Sequence, residues 1–139
     1  MASDIGEALR QLVAERARRR CEYCLIHEDD AYLPHQIDHI VSRKHGGLSQ
    51  EDNLAYACLR CNAWKGSDIG SLDRRSGEMV PLFHPRRQKW TAHFALRGFV
   101  IEPLTPQGEV TARLLKLNMA KRVAERQLLV TQGRFRIGF

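Results

Sequence analysis

Four cysteines fall in two short pairs, Cys21-Glu-Tyr-Cys24 and Cys58-Leu-Arg-Cys61, and no other feature constrains the fold of this chain as much. Two C-x2-C knuckles can set four thiolates at the corners of one tetrahedron, the geometry zinc prefers. The residues between them then form a closed loop fixed at its base. That loop carries Ile37-Asp38-His39-Ile40 and Asn53, and Asn62 directly follows the last cysteine. A four-thiolate zinc site is coordinatively closed, so its expected role is structural. Buried free thiols, or an iron centre on the same sulfurs, are the alternatives.

A staple suits a chain of this size. Its 139 residues are expected to form one domain over 1–139, with an N-terminal helix in 1–20, a stapled core in 21–66 and an extension in 67–139. Lys and Arg number 22 against 16 Asp and Glu, a formal charge of 22 − 16 = +6. That balance favours a polyanionic partner such as nucleic acid, although ordinary basic proteins share it. No apolar run is long enough to span a bilayer. The N-terminus lacks a basic region followed by an apolar one, so no secretory signal is expected. The expected location is cytoplasmic, where paired cysteines read as metal ligands and not as disulfides.

Along the chain, Ser3 or Asp4 is expected to cap a helix on which Ile5, Leu9, Leu12 and Val13 recur at helical spacing. It runs into Arg16, Arg18, Arg19 and Arg20, which suit either phosphate contact or a solvated helix end. Residues 36–41 read as a strand, Gly46-Gly47 as a turn, 53–57 as a second strand, and Asn62 to Lys65 as a short helix stopped by Gly66. Residues 78–83 suggest a further strand, and Trp90 and Phe94 pair at helical spacing. Residues 99–103 and 109–114 flank Thr105-Pro-Gln-Gly108 and predict a β-hairpin. Asn118 is expected to cap a last helix that Gly133 stops. The class is α+β: a zinc-stapled core with an N-terminal helix and a C-terminal extension of β-hairpin and helix.

Asp38 and His39 are adjacent, so on a strand they face opposite ways; a twist or bulge at the strand end would bring both to one pocket. Together with Asn53 and Asn62 inside the knuckle frame they suggest a metal-dependent phosphodiesterase site. Ile37-Asp-His-Ile40, Gly46-Gly47, Asn53-Leu54 and Cys58-Leu-Arg-Cys61-Asn62-Ala-Trp-Lys65-Gly66 resemble the HNH endonuclease family of the zinc-containing ββα-metal type, found in small bacterial and phage proteins. The resemblance covers residues 21–66.

The resemblance implies a ββα-metal core and a role for each matching residue. His39 would be the general base that activates water. Asn53 would hold the loop and orient the His39 ring through a hydrogen bond. Asp38 and Asn62 would bind a catalytic divalent ion that stabilises charge on the departing oxygen, leaving 5′-phosphate and 3′-hydroxyl ends. Many members carry histidine where this chain has Asn62; a carboxylate and an amide oxygen favour Mg²⁺ or Mn²⁺, with Zn²⁺ kept for Cys21, Cys24, Cys58 and Cys61. The implied substrate is DNA, double-stranded. From the sequence itself, Lys65 suits either a phosphate contact or an exposed helix position, Arg43 and Lys44 either the DNA path or a solvated loop, and Arg86, Arg87 and Lys89 form a basic cluster suited to extend the phosphate footprint. A non-catalytic zinc-stapled nucleic-acid-binding module, or a zinc-stapled protein-interaction domain, would use the same knuckles without needing the Asp38, His39, Asn53 and Asn62 set.

Overall fold

Residues 5–137 are described by the computed structural model of the chain. Helix α1 (Glu7–Arg16) starts from Gly6 without a side-chain cap; Ser3 and Asp4 lie outside the described residues. It stops because Arg18 and Arg19 turn through left-handed backbone, with φ of 53° and 59°. The basic run is therefore a turn, and much of it is used internally. Arg16 donates to the carbonyls of Glu51 and Leu54, Arg19 pairs with Glu28 at 3.3 Å, and Arg20 donates to the Leu25 carbonyl at 3.3 Å.

Strand β1 (Gln36–His39) pairs antiparallel with β2 (Leu54–Ala57), Asp38 opposite Ala55 and His39 opposite Leu54. β2 is buried at all four positions, Leu54 to Ala57, which explains its unbroken apolar run. Helix α2 (Leu59–Lys65) follows at once. Cys58 is its N-cap, the sulfur accepting the Cys61 N–H, and Gly66 ends it at φ 52°. The strand, loop, strand, short helix order is the one the sequence suggests.

The extension departs from expectation at two places. Residues 99–103 do supply a strand, β6 (Val100–Pro103), but it pairs with the preceding β5 (Phe94–Arg97). Residues 109–114 lie instead in helix α4 (Pro106–Leu114). Thr105 accepts the Gly108 N–H on its hydroxyl and Pro106 stands in the first turn, so the presumed hairpin loop is a helix N-cap. Asn118 does not cap α5 (Ala120–Thr131), which begins at Met119 without a side-chain bond. Its amide instead mimics a strand neighbour, accepting the Ile101 N–H at 2.8 Å and donating to the Ile101 carbonyl at 2.7 Å. A short hairpin of β3 (Gly70–Leu72) and β4 (Met79–Pro81) and a helical turn, α3 (Trp90–His93), complete the order.

All four cysteines sit in a hydrophobic cluster with Tyr23, Ile40 and Ala55 of the first half and Phe83, Phe94, Ile101, Val110, Leu115 and Leu117 of the extension. Trp90 packs on Phe94 with ring centroids 5.1 Å apart and donates its indole N–H to the Tyr23 carbonyl at 2.9 Å. The staple and the extension thus share one core. No described helix is long and apolar enough to cross a membrane.

Candidate active site and metal centre

The knuckles meet as the spacing predicts. The four cysteine sulfurs are buried and lie within 4.8 Å of one another, with Cys24 and Cys58 at 3.7 Å. Sulfurs on a tetrahedron with zinc–sulfur bonds of about 2.3 Å stand about 3.8 Å apart. The backbone N–H groups of Cys24 and Cys61 donate to the sulfurs of Cys21 and Cys58, each at 3.4 Å. Burial pushes the Cys21 and Cys61 thiols up, whereas hydrogen bonds from Cys21 and its neighbours hold Cys24 well down. The four sulfurs are placed to bind one metal ion, and the donor set fits zinc.

Tyr23, between the first two cysteines, carries the staple to the next feature. Its hydroxyl donates to Asp38 at 2.6 Å, and the Lys65 ammonium lies 3.1 Å from the other Asp38 oxygen. Asp38 and Lys65 are 3% and 1% exposed. Lys65 also donates to the His39 carbonyl at 3.1 Å, fixing two successive residues of β1. Burial raises the Asp38 carboxyl despite the opposing pull of Lys65 and Tyr23, and burial followed by Asp38 raises the Tyr23 hydroxyl. Lys65, expected from the sequence as a phosphate contact or an exposed helix lysine, is neither: its ammonium is committed to the interior because it pairs with the buried Asp38.

His39 points away from this pair, as strand alternation requires. It is partly exposed, and its Nε2 lies 2.8 Å from the Ser49 hydroxyl. Ser49 belongs to the loop between the strands, and Asn53 braces that loop. Asn53 Oδ1 accepts the Val41 N–H at 2.9 Å, and its Nδ2 donates to the carbonyls of Val41 at 2.8 Å and Leu48 at 2.9 Å. Gly47 makes the closure possible: a Cβ there would lie 1.7 Å from the Val41 oxygen and 2.7 Å from Asn53 Nδ2. Asn53 therefore acts on the backbone beside Ser49, and Ser49 contacts the ring.

Asn62 donates to Gln36 Oε1 at 2.5 Å. Asn62 and Lys65 are three apart on α2, and Gln36 and Asp38 are two apart on β1. The helix thus lies along the strand with Lys65 on Asp38 and Asn62 on Gln36. These two expected ligands have different partners. Their chemistry still suits a hard cation: a carboxylate has about four acceptor positions, and Tyr23 and Lys65 use two. Lys65 is the competitor such an ion would meet.

Arg43 and Lys44 are exposed on the 3₁₀ turn that follows β1. Arg86 is half-buried and ion-paired with Glu22, leaving Arg87 and Lys89 exposed. The roles of Tyr23, Gly47 and Ser49 at the site are not marked in the sequence. Tyr23 lies inside a knuckle and Gly47 in a recognised turn, but nothing local marks Ser49.

With this geometry in place, comparison with known proteins is specific to one segment. Residues 21–68 match the family model described as HNH endonuclease. No curated protein and no solved structure matches the chain.

Proposed function

We propose, from the HNH endonuclease match over residues 21–68, that the chain is a metal-dependent endonuclease that hydrolyses phosphodiester bonds of double-stranded DNA in the cytoplasm. The observation that carries this reading is the arrangement about β1. A partly exposed histidine held by Ser49 stands next to a buried carboxylate tied to the zinc staple through Tyr23.

His39 takes a proton from water as the water oxygen bonds to phosphorus and the bond from phosphorus to the 3′ oxygen breaks. An imidazole titrates near neutral pH and suits that task. The Ser49 hydroxyl, 2.8 Å from Nε2, holds the ring in place. Asn53 keeps the loop of Ser49 closed, and Lys65 holds Asp38 and the His39 backbone in one register. Asp38 and Asn62 would hold Mg²⁺ or Mn²⁺, which when bound supplies charge stabilisation at the departing oxygen. Arg43 and Lys44 supply phosphate contacts beside the site, and the chain's charge of +6 draws the polyanion in.

The products test the chemistry. Nicks bearing 5′-phosphate and 3′-hydroxyl ends are resealed by a DNA ligase; nicks that resist ligation contradict the mechanism. A second reading, a zinc-stapled nucleic-acid-binding module, is favoured by one observation, the Lys65 ammonium on Asp38. Metal-independent, salt-sensitive DNA binding without cleavage supports that reading instead.

A further inference from the structure

On α5 the side chains turned inward are not its aliphatic ones. Arg122 and Arg126, one helical turn apart, are the buried residues of this helix, at 5% and 4% exposure. Arg122 Nη2 lies 3.2 Å from the Cys61 sulfur and 4.0 Å from that of Cys58, while Nη1 donates to the Leu115 carbonyl at 2.8 Å. Its guanidinium also stands over the Trp64 ring, 5.7 Å from the centroid. Arg126 donates to the carbonyls of Phe99 and Leu117, both at 2.7 Å. Arg60 of α2 and Glu125 of α5 form a two-bond ion pair at 2.9 Å just outside.

Four thiolates around one dication leave two surplus negative charges. Here they lie among Leu115, Leu117 and other apolar core residues, where uncompensated charge is costly. A charge-assisted N–H to sulfur bond spreads that charge and draws electron density from the thiolate. Arg122 is the one side chain of the extension with a hydrogen bond to a cysteine sulfur among the described residues. It reaches the sulfurs from a helix 61 residues further along the chain than Cys61.

We propose that Arg122 is a positioning residue of the cysteine centre: it hydrogen-bonds the zinc-bound thiolate of Cys61 and so couples zinc retention to the docking of α5. Coupling of this kind is reciprocal. Zinc holds the helix down, and the docked helix holds the zinc in.

The test uses the full chain loaded with one metal per molecule and compares wild type, Arg122→Met and Arg60→Ala. Arg60→Ala cuts the other tie between α2 and α5 without touching sulfur. Zinc transfer to a colorimetric chelator should be about 10–100-fold faster in Arg122→Met, the usual cost of losing an outer-shell partner, and much less affected in Arg60→Ala. In the cobalt-substituted proteins, the sulfur-to-metal charge-transfer band should move to lower energy in Arg122→Met alone, because an unbonded thiolate is more electron-rich. A release rate within twofold of wild type, or coincident bands, overturns the proposal. If Arg122→Met fails to load metal, Arg122→Gln decides on the same two readouts.

Discussion

Lys65, the last residue of α2, reaches Asp38 with 1% of its side chain exposed. In the sequence it is a helix lysine before a glycine; in the fold its ammonium is the charge partner of a buried carboxylate. Breaking a buried pair strands the other charge, so Lys65→Met should lower stability by about 3–5 kcal/mol. The double variant with Asp38→Asn should recover part of that loss, as urea midpoints will show. Gly47 makes a similar case for the loop. Gly47→Ala forces the Val41 carbonyl and Asn53 apart, at a cost of about 1–3 kcal/mol, as for overpacking. The damage falls on the loop carrying Ser49, so cleavage should drop while zinc content, measured by atomic absorption, stays at wild-type level. Neither role follows from local sequence. Both depend on which backbone or side chain lies opposite, and chain spacing alone does not say.

Elements were legible where a local signal and the tertiary partner agree. The knuckles, β1, β2 and α2 come from spacing, an apolar run and a stop glycine, and the fold has each in that order, with β1 ending at His39 and α2 beginning already at Leu59. The presumed hairpin around Thr105 failed because Thr-Pro serves a turn and a helix start equally well, and only the Gly108 N–H decides between them. The buried face of α5 is arginine because it packs on sulfur and carbonyls, a role that no local signal announces. The 3₁₀ turn Glu28–Asp30 adds a testable electrostatic link between the first knuckle and β2. Burial pushes the Glu28 carboxyl up, but the Tyr56 hydroxyl, the His35 N–H and Arg19 outweigh it and hold it below its ordinary value. A carboxyl depressed in the folded state contributes stability above its unfolded pKa, and that contribution is lost as pH falls through the folded one. Glu28→Gln should therefore be less stable than wild type at neutral pH, and the gap should close on the acid side of the carboxylate range. A constant gap across pH contradicts the assignment.

For the whole molecule, the staple lies in the same core as the extension, so metal and fold should stand or fall together. Cys58→Ser removes one thiolate but leaves a hydroxyl that caps α2 in place of the sulfur, so the lower thermal midpoint and zinc content it should show report the metal site. Wild type should hold about one zinc per chain, as a single four-thiolate site requires. Tyr23 ties the cysteine cluster to Asp38, and β1 carries that order to His39, the base we propose for DNA hydrolysis. The most direct measurement is cleavage of supercoiled plasmid in Mg²⁺, Mn²⁺ or EDTA by wild type and by folded, zinc-loaded His39→Ala. The account predicts cutting that needs the divalent ion and falls by about 10²–10⁴-fold in the variant, the usual contribution of a general base. Equal cutting by both proteins, or cutting that persists in EDTA, would contradict it.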